Sequence, residues 1–335
     1  MSRAVRYKKH LTTLQVFLSI VLILLAVCVL VKAFFLKAPE QKAAELPAQP
    51  ASSDTDSQQS PEEQAAQEAL RSHLERKGGF YTILLSGLDD DNGGSDTNIL
   101  VAVDTVNGYV YGVSIPRDSK AIIDGKARKI NYAYNKGGTE LLADTVSEQL
   151  GIPVDYTVSV NLKGFTALVD AIGGVDFDVP INMDYDDPIQ NLSIHFKKGV
   201  QHLSGADALR VVRFRHNNDG TGYGSEDLGR MQTQQKFLKA VAKKMLTIEN
   251  LVTKMPDYAD IFNRYVDTNL SIFDIARFGN AILKMGVDKI DFSTLPNEWR
   301  SPYIYLDPTE TLTLVNTYLN PYVEDRTAED LHLPS

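Results

Sequence analysis

Residues 16–31, VFLSIVLILLAVCVLV, contain no charged side chain. No other feature constrains the chain so strongly, since a run of this kind belongs in a bilayer or a deep core. Residues 11–14 before it and 33–36 after it extend the stretch to spanning length, with Lys32 snorkelling to the interface. Arg3, Arg6, Lys8 and Lys9 precede it, and basic flanks stay cytoplasmic. The expected topology is a cytoplasmic tail over 1–10, a transmembrane anchor over 11–36, and everything later outside. A cleaved signal peptide would have a shorter apolar core and a small-x-small cleavage site. A lipoprotein site at LAVC is disfavoured by Val27, which stands where a small residue is required.

Cys28 is the only cysteine and lies in this anchor, so the exported part is held by its core without a disulfide. The formal net charge is −9 and the pI about 5.2, which argues against a nucleic-acid partner. Removing the four cytoplasmic basic residues leaves 30 basic against 43 acidic groups outside, about −13. Arginines clustered in such a domain point to a dedicated anion pocket.

Residues 37–76 hold Pro, Ser, Gln and Ala with no aromatic before position 77, a composition that reads as a disordered linker lifting the domain off the membrane. A short helix is expected from Pro61 to Arg76. From Phe80 the texture becomes globular. FYTILLSG, NILVAVD and YVYGVSI read as strands, the last two joined at Asn107-Gly108 by a type I′ hairpin. Helices are expected over 138–150, 161–172, after Ser204, over 227–246, 271–285 and 308–319. Further strands fall at 155–160, 175–181, 289–295 and 303–306. Strands and helices interleave without a second linker. That favours one α/β domain over 77–325, with helices on both faces of a mixed sheet, and a tail over 326–335.

Three stretches carry possible chemistry. LLSGLDDDNGGSDTN sets Asp89, Asp90, Asp91 and Asp96 between two buried strands, where a hard cation would find carboxylates; a solvated turn uses the same residues. In SIPRDS, Arg117 sits at a strand tip with Asp118 beside it, placed for a phosphate or for a salt bridge. In RVVRFRH, Arg213 and Arg215 are two apart, so an extended segment would point both the same way. Arg230 and Gln234 share a helix face near its N-terminus, where an anion is welcome. Together they make a diphosphate clamp, the competing arrangement being an ion-pair network with Glu226 and Asp227. There is no G-x-S-x-G or H-E-x-x-H, and the histidines share no metal-ligand spacing.

GLD…SDTNILVAVD, VSIPRDS, KINYAY, GGVDFDVP, RFRH and DLGRMQTQQ, in this order, resemble the LytR-CpsA-Psr family over about residues 80–325. The resemblance implies a three-layer α-β-α sandwich with a hydrophobic lipid tunnel. It implies transfer of a glycopolymer (teichoic acid, capsule or another wall glycan) from a polyprenyl diphosphate carrier to a peptidoglycan sugar hydroxyl. Carried over by position, Asp89 and Asp96 match metal carboxylates for Mg²⁺ or Mn²⁺, and Arg117, Arg213, Arg215, Arg230 and Gln234 match the diphosphate clamp. Arg117, Asp118, Arg213 and Arg215 are the catalytic candidates. The family usually has Arg before S-D-T, where this chain has Gly94, and often Arg at Thr233. Lys126 or Arg128 is then the candidate for the missing phosphate contact. A non-catalytic lipid-diphosphate-binding or regulatory envelope protein is the alternative.

Overall fold

The computed structural model describes residues 39–42, 74–88, 94–189, 192–224 and 226–335. The tail 1–10, the anchor over 11–36, most of the linker expected over 37–76, and Asp89 lie outside them; of the short helix expected from Pro61 to Arg76 only residues 74–76 are described, and these are not helical. No helix among the described residues is long and apolar enough to cross a membrane.

Three β-branched, apolar runs open the domain as β1 (Phe80–Leu88), β2 (Ser95–Asp104) and β3 (Tyr109–Ile115), paired antiparallel in sequence order. The β2–β3 connection is not the expected two-residue I′ turn. Asp104 pairs with Tyr109 across four intervening residues, and of the two turn residues named only Gly108 has a positive φ, 72°. The Asp104 carboxylate decides this, accepting the amides of Val106 at 2.9 Å and Asn107 at 2.7 Å. The hairpin β4 (Lys120–Ile123) and β5 (Lys126–Lys129) then leads into α1 (Asn131–Leu150), which kinks at Gly137 and Gly138. Gly151 ends α1 at φ 63°; the backbone of Asp330 packs so close that a Cβ there would collide.

β6 (Tyr156–Asn161) and α2 (Leu162–Ala171) follow, Asn161 capping α2 through the Gly164 amide. Two antiparallel pairs come next. β7 (Val175–Val179) binds β10 (Gly199–Leu203), and between them β8 (Met183–Asp187) binds β9 (Leu192–Phe196). α3 (Gly205–Arg213) starts at Ser204, whose hydroxyl takes the Asp207 amide as expected. α4 (Glu226–Met245), α5 (Ile248–Thr253) and α6 (Met255–Tyr265) precede β11 (Val266–Thr268). α7 (Ile272–Met285) carries the full Ser271–Asp274 capping box. β12 (Ile290–Thr294), the hairpin β13 (Asn297–Arg300) and β14 (Tyr303–Leu306), and α8 (Pro308–Leu314) complete the order.

The main sheet runs β11-β6-β1-β2-β3-β12, with β1–β6 and β3–β12 parallel and the other pairs antiparallel, so it is mixed as expected. Alternation along the strands builds two cores on opposite faces. Phe80, Leu84, Leu100 and Val113 meet α1 through Leu142, Val146 and Leu150, along with Ala121 of β4 and Leu306 of β14. Tyr81, Ile83, Ile99 and Val101 face Phe278 of α7 and Leu238 and Ala242 of α4. Helices therefore cover both faces. Each fully buried aliphatic side chain here contributes about 1.5–3 kcal/mol. A third core outside this sandwich joins α2, α3 and the β7–β10 strands to the far side of α4 at Phe237 and Val241.

Both ends of the domain are fastened. Asp155, with its side chain fully buried, accepts the Lys42 amide at 2.9 Å and pairs with both Arg76 Nη1 at 2.7 Å and Nη2 at 2.8 Å. Tyr156 donates its hydroxyl to the Glu40 carbonyl, and Gln41 bonds the carbonyls of Lys77 and Phe80. Residues 39–42 are thus a strap across the start of β1, not free linker. At the other end Arg326 pairs Asp330 at 3.0 Å and the His332 amide reaches the Gln149 carbonyl.

Candidate active site

β1, β3, β6 and β12 all point their carboxyl ends to one edge of the sheet, where open α/β sheets place ligands. A small pocket, open to solvent, lies at that edge. Asp96, Thr97 and Asn98 at the start of β2 and the segment 114–118 at the end of β3 form its floor. Arg230, Met231 and Gln234 of α4 line one side, and Ile304 of β14 the other. Five residues named from sequence (Asp96, Arg117, Asp118, Arg230 and Gln234) therefore share one cavity.

Pro116 ends β3 and the chain turns at once, the Ser119 amide returning to the Pro116 carbonyl at 3.0 Å. That turn presents Arg117, whose Nη1 donates to Asp96 Oδ1 at 2.7 Å. Asp118 accepts from Lys129 Nζ at 3.1 Å and lies 3.8 Å from Arg117 Nε. Both halves of the salt-bridge reading are present, and the arginine still borders the pocket.

α4 is locked in register by Gln235, a residue the sequence reading passed over. Its buried amide donates to Ser114 Oγ at 2.9 Å, the Ser293 carbonyl at 2.8 Å and Thr294 Oγ1 at 3.2 Å. Arg230 and Gln234 project from the adjoining face, and Gln234 Nε2 donates to the Val212 carbonyl at 3.1 Å. Thr233 is 2% exposed and donates to Tyr223 Oη at 2.9 Å, so it belongs to the packing against that ring. The side chains of Glu226 and Asp227 lie outside the described residues.

Arg213 and Arg215 are placed differently from expectation. α3 runs through Arg213, because Ala208 and Val211 continue its buried stripe, and extended geometry begins only at Phe214. The two arginines therefore do not share a strand face, and neither borders the pocket among the described residues. The Gln234–Val212 bond keeps their segment beside the wall. Arg210 pairs with Asp207 at 2.9 Å on the outer surface. Lys126 and Arg128 do not border the pocket either; Arg128 lies over the Tyr132 ring at 5.3 Å. Lys129 is the β5 cation that reaches the site. Gly94 sits at φ 97° against Asn135, a conformation that strains any side chain, so this backbone does not accommodate the family's usual Arg.

The donor set suits a hard cation. Asp96 and Asn98 are two apart on β2 and share a face. Asn98 Oδ1 is buried without a hydrogen-bond partner, and Asp96 borders the same pocket with its Oδ1 accepting from Arg117. Oxygen ligands supplemented by water and phosphate are what Mg²⁺ takes. No cluster of three or more His, Cys, Asp or Glu that could hold a metal occurs among the described residues, so a cation here would depend on phosphate and water ligands, with Asp89 outside them.

Residues 46–320 match the LytR_cpsA_psr family. The chain belongs to that family. Its relatives include the polyisoprenyl-teichoic acid–peptidoglycan teichoic acid transferase TagU of Bacillus cereus, 37% identical over 58% of this chain and 63% of TagU. The transferase TagV of Bacillus subtilis is 35% identical over 57% of this chain and 50% of TagV. The regulatory protein MsrR of Staphylococcus aureus is 33% identical over 65% of each. The chain thus spans less than two thirds of TagU and TagV. The crystal structure of Bacillus subtilis TagV superposes with a TM-score of 0.60 at 30% identity, over 72% of this chain and 96% of that one. TagT bound to LI-WTA gives 0.55 at 25%, over 71% and 88%. This LytR_cpsA_psr chain shares their mixed-sheet architecture.

Proposed function

We propose that the protein transfers a glycopolymer of the teichoic acid kind from a polyprenyl diphosphate carrier to a sugar hydroxyl of peptidoglycan. The observation that carries this is the convergence of Asp96, Arg117, Asp118, Arg230 and Gln234 on one pocket at the carboxyl ends of the strands. The printed names of TagU and TagV, and the ligand of TagT, support the same reading.

Arg117 and Arg230 hold the diphosphate from the floor and the α4 wall, with Gln234 donating beside them; Arg213 and Arg215 bring further positive charge from the adjoining segment. A divalent cation, Mg²⁺ or Mn²⁺, would be held by Asp96 and the Asn98 oxygen, with Asp89 the further candidate ligand from sequence, and would supply charge neutralisation on the phosphates. The acceptor oxygen bonds to the polymer-side phosphorus, the bond to the bridging oxygen breaks, and polyprenyl phosphate leaves. Asp118, which borders the pocket and pairs with Lys129, is assigned as the carboxylate that takes the hydroxyl proton. Met231 borders the pocket, and Leu238, two turns further along α4, packs with Leu85 and Val158 against the core on that face of the sheet. The prenyl chain of this reading is assigned to that apolar side of the pocket.

The chain is anchored by residues 11–36 with its domain outside the cytoplasm. The strap at 39–42 begins three residues beyond the anchor of this reading, which keeps the domain close to the membrane. Full-length protein in proteoliposomes, given labelled lipid-linked polymer and a soluble glycan acceptor, tests the transfer. Turnover with unaltered rate in Arg117→Ala refutes the clamp. The name of MsrR favours a second reading, a lipid-diphosphate binder that does not turn over. Retained lipid with no polyprenyl phosphate released would select it.

A further inference from the structure

The pocket's two side walls come from opposite faces of the sheet. α4 packs on the face of Tyr81 and Ile83, whereas β14 and β4 pack on the face of Phe80 and Leu84. In-line displacement needs the nucleophile to approach opposite the leaving group. Under the transfer reading, on which this inference rests, the prenyl phosphate departs along α4, so the acceptor comes in over β14.

The β13–β14 hairpin forms that approach. The Ile304 amide donates to the Asp118 carbonyl at 2.9 Å, which ties the hairpin directly to the reacting segment. In the register of the pair, Trp299 lies across from Ile304, so both side chains stand on the pocket face. Ile304 is buried at 8% and lines the cavity, while Trp299 beside it is 57% exposed. It is the only tryptophan in the chain. A large rigid ring exposed beside the pocket wall offers an accessible flat face for stacking. The opposite face of the hairpin is already occupied, Tyr305 lying under Lys120 and Arg300, each at 4.9 Å.

We infer that Trp299 is a stacking residue for a pyranose ring of the acceptor glycan, positioning its hydroxyl toward Asp118 and the diphosphate. The flat face of a pyranose presents C–H groups and stacks on an indole, while its hydroxyls stay available to solvent and to Asp118.

Because there is one tryptophan, its fluorescence reports occupancy without turnover. Titrating full-length protein in detergent with a short peptidoglycan glycan fragment should give a saturable emission change. A polyprenyl diphosphate without sugar should give none. Absence of a saturable change with the glycan, or the same change with the sugar-free lipid, overturns the assignment. That readout holds even if transfer itself fails, so the two proposals fail separately. In the transfer assay Trp299→Ala should raise the acceptor KM about tenfold with the donor KM unchanged, and Trp299→Phe should restore most of the loss. A rise in donor KM alone, or an acceptor KM within about twofold of wild type, refutes it.

Discussion

At the scale of single residues, the candidate site was legible where a charged side chain sat at a position fixed by local pattern. Arg117 follows a strand-ending proline, and Arg230 with Gln234 repeats at helical spacing, so sequence alone put them at a strand tip and on one helix face. Asn98, Gln235 and Ile304 were not legible, because a neutral amide or an aliphatic side chain looks the same in a core as at a pocket. Arg213 and Arg215 were misjudged for a local reason: the α3 stripe at Ala208 and Val211 carries the helix one residue before Phe214. Arg117→Ala should lower transfer about 10²–10³-fold with the fold intact, and Arg117→Lys should not restore it, since lysine lacks the fork that spans Asp96 and a phosphate. A stopped assay on both variants measures this. His195 offers a pH test outside the site. Its hydrogen bond to Asp184, 2.7 Å away, and then the charges of Asp186 and Asp184 raise it above 6.5. The protonated form is therefore the stabilised one, its contribution full below the unfolded value and lost as pH rises through the folded one. NMR titration should show His195 titrating above 6.5 and falling in Asp184→Asn; no fall would contradict the pairing.

At the scale of elements, long apolar strands and capped helices were readable. β1, β6, α2, α3, α4 and α7 stand where hydrophobic patterning and the caps Ser204 and Ser271 put them. β14 stands at the expected 303–306. The hairpins β4–β5 and β8–β9 and the strand β13 gave little signal, since strands of four or five residues exposed on one side have little periodicity to detect. The Asp104 turn shows a side chain overriding a dipeptide preference. Asp104→Ala should cost about 1 kcal/mol by chemical denaturation, as loss of a local cap does; an unchanged midpoint would deny its role. Gly94→Arg, which restores the family's usual residue, should destabilise by at least about 1 kcal/mol because of the φ of 97°.

At the scale of the whole molecule, the strap changes the meaning of the linker. Its composition reads as a spacer, and nothing in the segment 39–42 alone announces that it docks. The partner is Asp155, more than a hundred residues away, and such a contact is invisible to local pattern. Asp155→Ala leaves Arg76 buried without its counterion and should cost about 3–5 kcal/mol. Deleting residues 43–73 should leave transfer in proteoliposomes nearly unaltered, whereas lengthening the chain between 36 and 39 should reduce it. The central claim is that the pocket breaks a lipid diphosphate in favour of a glycan hydroxyl. Its most direct measure is polyprenyl phosphate released per polymer chain attached, followed together in one reaction with the full-length protein. One-to-one release that requires acceptor and is lost in Arg117→Ala is the predicted result. Lipid bound tightly at the same pocket, with no polyprenyl phosphate released in the presence of acceptor and divalent cation, would contradict it.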